Sequence, residues 1–195
     1  MASTLTSKDI EDFYIRLYFD TSNGYLPASI NRAYRDFNRT IENIPKTDEE
    51  KNKWRSNLQE ILASRINALL TVTFSDQAEF TMWHKKTCIA LRIASNEILT
   101  IGQAQKWVNM SLKYAFTLGD NRINGINRNY HFFHIPIDNI IQDLLKEKYG
   151  IEKIKSLRWS RVNDYDIYYN YQKEVRRVLT GTIVLDEEFK LFNQS

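Results

Sequence analysis

Cysteine is nearly missing from this chain: Cys88 is the only one in 195 residues. One thiol cannot close an intramolecular disulfide, nor can it supply a cysteine-ligated iron–sulfur cluster or zinc site within one chain. Histidine is scarce too, limited to His84, His131 and His134. With no thiolate partner nearby in sequence, these three do not suggest a metal centre, and no cofactor is expected. Glycine and proline number six and three, too few for a strand-rich fold with many turns, which points to long helices. No apolar run reaches membrane-spanning length, so no membrane partner is expected. The N-terminal stretch MASTLTSKDIEDF lacks an apolar core of signal-peptide length, and a cytoplasmic protein is the simplest expectation.

What is present suffices for a packed interior: 43% of residues are hydrophobic and 26% charged, as in ordinary soluble domains. The length fits a single helical domain over residues 1–195, or two small lobes sharing a core, with 75–150 carrying the central motifs. A net charge of +3 permits nucleic-acid binding without demanding it.

Apolar periodicity organises the chain as helices. Ile10, Phe13, Tyr14, Leu17 and Tyr18 share one face of a helix over 7–19. A second helix runs over 27–44, with Arg32, Arg35 and Arg39 on or near the face opposite its apolar side. Thr47 followed by Glu50 reads as a capping box opening a long helix to about Thr73. Ser75 opens another, which carries Trp83-His84-Lys85-Lys86. His84 beside two lysines has a reason for a lowered pKa and could do acid–base work, or it is simply a surface histidine. The segment 119–129 is rich in Asn and Gly and reads as a loop. Trp159-Ser160 leads into a helix to about Leu179, and 185–192 reads as a short final helix or turn.

The centre of the chain is Leu99 to Leu145. Gly102 is expected to permit a tight turn. Lys106 then sits early in an amphipathic helix on which Val108, Leu112, Ala115 and Phe116 recur at helical spacing. Lys106 and Lys113 lie on roughly one stripe. Downstream, Pro136 ends an apolar run and Asp138 falls in the first turn of a helix to about Lys148, where an acid is stabilised by unpaired N–H groups.

Two of these segments carry a family resemblance. Thr100-Ile101-Gly102-Gln103-Ala104-Gln105-Lys106 resembles the hairpin Leu-Pro-Gly-x-Gly-x-Lys of the helix-hairpin-helix DNA glycosylases. Ile135-Pro136-Ile137-Asp138 resembles their Val-Pro-Val-Asp motif. Ile101 stands where that family has proline, and Ala104 where it has the second glycine. The Lys106–Asp138 separation of 32 residues (138 − 106) is closer to the archaeal 8-oxoguanine type than to endonuclease III-like members. The resemblance implies a compact all-α fold with a helix-hairpin-helix-like element, and a DNA repair enzyme, hydrolase or lyase, acting on duplex DNA with a damaged or modified base. It implies Lys106 as nucleophile and Asp138 as catalytic carboxylate. The backbone of Gly102, Gln103, Ala104 and Gln105, with Lys113, Arg122 and Arg128, would grip DNA. Trp107, Phe133, His134 and His84 would wall a pocket for an extruded base. Core packing is the competing assignment for the aromatics, and a solvated lysine or a plain helix-start acid for Lys106 and Asp138. The alternative function is a non-enzymatic helical module that binds DNA, RNA or protein.

Overall fold

A computed structural model describes residues 4–154 and 158–194. Its described residues are all-α, with eight α-helices, three short 3-10 turns and no strand. The helices are α1 (Ser7–Tyr18), α2 (Tyr25–Phe37), α3 (Asp48–Leu70), α4 (Gln77–Ala94), α5 (Ile101–Leu118), α6 (Asn139–Tyr149), α7 (Tyr165–Val178) and α8 (Val184–Gln194). None of these helices is long and apolar enough to cross a membrane.

Helix starts follow local chemistry. Thr47 and Glu50 form the capping box of α3, each side chain accepting the other residue's backbone N–H. Thr6 caps α1, because Asp9 stands three residues on and closes a second box. Asp76 caps α4 through the Glu79 N–H. Asp138 is the N-cap of α6 rather than a first-turn residue, its Oδ1 accepting the Ile141 N–H at 2.9 Å. Gly150 ends α6 at a left-handed φ of 68°, a conformation glycine reaches without a Cβ penalty.

Helix α5 is the axis of the molecule. Every residue from Ile101 to Leu112 is buried, so this helix has no solvent stripe over its first three turns. α2 packs along it through Trp107, whose ring meets Tyr34 and Phe37 and whose Nε1 donates to the Ile30 carbonyl at 3.0 Å. α4 lies against another side, and α7 and the turn at 159–161 close a third.

Gly102 corrects the expected tight turn. Thr100 caps α5, with Gln103 completing the box, so Gly102 already lies inside the helix. The glycine serves close packing: a Cβ there would fall 1.8 Å from the Trp159 carbonyl oxygen, and the Gly102 N–H donates to the Val162 carbonyl at 2.8 Å. Trp159-Ser160 leads into the last long helix through a turn of its own. A 3-10 turn at Trp159–Arg161 abuts Gly102, and α7 starts afresh after its cap, Asp164.

Helix α1 departs from the usual fate of an amphipathic helix. It contains no buried residue, and Phe13, Tyr14 and Leu17 are 58%, 64% and 67% exposed. Ile15 alone packs against the core, and polar contacts hold the rest of the helix. Arg122 donates to Glu11 at 3.0 Å and Asp12 at 2.9 Å, and Tyr18 meets the Tyr114 hydroxyl at 3.3 Å.

Gly102→Ala is expected to destabilise the protein by about 1–3 kcal/mol through overpacking. Urea unfolding measures this, and an unchanged midpoint would show that the 159–161 turn yields freely.

Candidate active site

Lys106 and Asp138 meet at the junction of α5 and the start of α6. Lys106 Nζ lies 2.5 Å from Asp138 Oδ2, with the side chains 7% and 18% exposed. The meeting is engineered by the residue next door. Gln105 Oε1 accepts the Ile137 N–H at 3.3 Å, and Gln105 Nε2 donates to the Ile137 carbonyl at 2.9 Å. One side chain thus grips both polar atoms of Ile137 and sets Asp138 beside Lys106. Gln142 adds a donor to the Asp138 carbonyl at 3.1 Å.

The segment leading to Asp138 is buried and belongs to no sheet, so its carbonyls depend on side chains. Arg176 donates to the Phe132 and Phe133 carbonyls, and Gln172 to Ile135 at 2.6 Å. Asn109 Nδ2 also points to Ile135, at 3.5 Å, while holding Gln105 Oε1 at 3.0 Å and the Tyr168 hydroxyl at 2.9 Å. Two oxygens in this network, Asn109 Oδ1 and Gln172 Oε1, have no protein partner.

A second buried pair lies on the same helix. Lys113 Nζ donates to Glu188 Oε1 at 2.7 Å, with Glu188 reaching in from α8. Lys113 also faces the rings of Phe189 and Phe192 at 5.1 and 4.7 Å, as cations do over aromatic faces. Glu188 is 1% exposed, and its Oε2 has no partner. Burial pushes its carboxyl above the usual range. Lys113 and Lys106 oppose that rise, and Asp138 adds to it. Glu188 thus feels the field of the neighbouring Lys106–Asp138 pair as well as that of its own partner.

The other expected DNA contacts are placed differently, and several are corrected. Gly102, Gln103, Ala104 and Gln105 are buried. The N–H groups of Gly102, Gln103 and Ala104 donate to Val162, Thr100 Oγ1 and the Thr100 carbonyl, leaving none of the three for a phosphate. Gln103 Nε2 is spent on the Thr40 carbonyl at 2.7 Å. Lys113 is held by Glu188, and Arg122 by α1. Arg128 is exposed on the 3-10 turn after Gly125. An open polar pocket of about 370 Å³ lies at the start of α5, between Thr40, Glu42, Asn96, Glu97, Thr100 and Arg161, and neither Lys106 nor Asp138 lines it.

The expected base-pocket residues do not form one wall. Trp107 faces α2, in a cluster with Tyr34 and Phe37. His84, His134 and Phe133 gather around Phe80 on the side of α4 and α7. All four expected residues are at most 1% exposed, so they fill the closed core. His84 is a core residue and not a surface histidine. Its Nδ1 lies 2.8 Å from the Tyr165 hydroxyl, and His134 Nδ1 lies 2.8 Å from that of Tyr168. Burial, rather than the neighbouring lysines, drives the His84 pKa down to about 3. Burial, together with His84 and Arg176, holds His134 well below its ordinary value. Among the described residues, no group of three or more His, Cys, Asp or Glu side chains could hold a metal ion.

The residues missed from sequence are Glu188, Gln142 and Gln172, whose roles depend on contacts between segments far apart in the chain. No family model matches the chain, and neither a curated protein nor a solved structure does.

The two buried histidines give stability a defined pH dependence. In the unfolded chain they take up protons below about pH 6.5, whereas the folded chain holds them neutral far below that. The unfolded state therefore binds more protons, and their contribution falls as pH drops from about 6.5 towards the His84 value of about 3. The raised Glu188 carboxyl acts in the opposite sense, so the informative quantity is the difference between wild type and His84→Gln. Unfolding free energies at pH 7.5 and 5 should fall more steeply for wild type, and parallel curves would contradict the assignment.

Proposed function

We propose that this protein is a DNA glycosylase-like enzyme with lyase activity at abasic sites, using Lys106 as nucleophile and Asp138 as its carboxylate partner. The observation that carries this reading is the 2.5 Å approach of Lys106 Nζ to Asp138 Oδ2. Two short motifs in the order of a glycosylase family, separated by 32 residues (138 − 106), meet in space as a lysine–carboxylate pair. With Lys106 buried and Asp138 partly so, desolvation offsets much of the attraction between the two charges, which makes the pair a poor device for stability alone.

The chemistry requires Lys106 to give up its ammonium proton and attack the deoxyribose C1′. Asp138, the nearest base, accepts that proton and returns it to a leaving group. In the lyase step the amine adds to the ring-opened C1′ aldehyde, and water leaves to form an imine. Loss of a C2′ proton then expels the 3′ phosphate. DNA is gripped by surface cations such as Arg128 rather than by the first turn of α5, whose amides are occupied. A base extruded from the stack cannot enter the His84–His134 core as it stands, so that cluster serves as scaffold.

A second reading is a helical interaction module without chemistry. The exposed apolar face of α1 favours it, since isolated apolar stripes of this kind usually meet another molecule.

Borohydride trapping on duplex DNA carrying an abasic site separates the two. Wild type is expected to yield a covalent adduct. Lys106→Gln should reduce it to background, and Asp138→Asn should slow it by roughly 10²-fold. Wild type without an adduct, or Lys106→Gln with a full one, would overturn the lysine assignment.

A further inference from the structure

We infer that the outward face of α1 is an interface for a second copy of this chain, with the two α1 helices packed antiparallel across a two-fold axis near Phe13. The inference is independent of the chemistry assigned to Lys106.

At about 100° of turn per residue, Ile10, Phe13, Tyr14 and Leu17 fall on one stripe of α1. These four side chains are 44%, 58%, 64% and 67% exposed. The opposite side of the helix faces the body of the protein. Arg122 binds Glu11 and Asp12 there, and Ile15 packs against the core. Tyr18, at the edge of the stripe, is tied through its hydroxyl to Tyr114 and Arg32. An amphipathic helix ordinarily buries its apolar stripe and shows its charges to water. α1 is docked the other way round, and the ion pairs to Arg122 fix it so. Two aromatic and two aliphatic side chains held outward together make a docking surface.

The charges beside the stripe identify the occupant. Asp9 and Arg16 are both exposed, and they lie two turns apart on one flank of the stripe. When two α1 helices run antiparallel across a two-fold axis, each flank faces its own copy. Asp9 of one copy then meets Arg16 of the other, and the pairing occurs twice. The midpoints of Asp9–Arg16 and of Ile10–Leu17 fall on either side of Phe13, so the charged and apolar registers agree. A parallel pair would set residues of the same number at one level and form neither ion pair. A bilayer surface fits poorly. α1 carries Asp9, Glu11 and Asp12 against Lys8 and Arg16, whereas helices that lie on membranes are rich in Lys and Arg. The four exposed side chains offer roughly 450 Å² per copy before the flanks are counted, which suits a weak, concentration-dependent dimer.

Sedimentation equilibrium measures the association directly. Wild type is expected to rise from the 23.1 kDa monomer towards twice that mass between about 1 and 100 µM. Leu17→Glu, at the most exposed of the four positions, should hold the mass at that of the monomer throughout. Asp9→Arg and Arg16→Asp each set like charges against one another across the axis, and each alone should associate about tenfold more weakly. In Asp9→Arg the capping box is lost, but Thr6 Oγ1 still accepts the backbone N–H at position 9. Mixed in equal amounts, the two variants restore both ion pairs, and the mixture should regain wild-type association. Wild type that stays monomeric to about 100 µM, Leu17→Glu that associates as wild type does, or a mixture no stronger than its components would each overturn the interface. A monomeric wild type that floats with vesicles of anionic phospholipid, and fails to do so as Leu17→Glu, would assign the stripe to a lipid surface instead.

Discussion

Helix α5 is enclosed on every side over its first three turns, and its polar side chains must find partners inside the protein. Gln103, Gln105, Lys106, Asn109 and Ser111 are all buried. The surrounding elements answer most of them, leaving Ser111 Oγ and Asn109 Oδ1 without a protein partner. Gln103 ties the 38–40 turn to the helix start, Gln105 and Asn109 hold the extended segment that leads to Asp138, and Lys106 takes Asp138 itself. The axis of the fold and the candidate chemistry are one object. Few of these residues can change without leaving a polar group stranded in the core, at a cost of about 1–3 kcal/mol each.

The same constraint explains the division of labour around the site. The His84–His134–Tyr165–Tyr168 cluster, neutral at physiological pH because it is buried, fills the space between α4 and α7. Arg176 and Gln172 from α7 then support the segment at 132–135 by side-chain hydrogen bonds. Charge is concentrated on the remaining side of α5, where α6 and α8 contribute Asp138 and Glu188. The arrangement has a polar scaffold on one side and two charged pairs on the other.

Features written in a few adjacent residues were legible in the sequence. Thr47 with Glu50, and Pro136 before Asp138, each specify a helix end by local chemistry. The all-α class followed from periodicity and from the scarcity of glycine and proline. Periodicity showed that α1 has an apolar face, but whether anything covers a face is decided by the rest of the molecule. Gly102 was read as a turn residue because glycine usually marks one. Its actual reason is the Trp159 carbonyl, nearly sixty residues away in sequence (159 − 102). Glu188 resembles any acid on a short amphipathic helix until α8 is seen to lie against Lys113. Lys106 and Asp138 were legible because two short motifs named them together, whereas Gln105, which sets their geometry, was assigned to DNA.

On the proposed function, the Lys106–Asp138 pair is kept for chemistry rather than for stability. The most direct test is the double variant Lys106→Met/Asp138→Asn, in which asparagine preserves the cap of α6. Its unfolding free energy and its borohydride-trapped adduct with abasic DNA should be measured on the same preparation. Stability within about 1–2 kcal/mol of wild type and no adduct are expected. A double variant that still forms the wild-type adduct, or one that loses most of its stability, would contradict it.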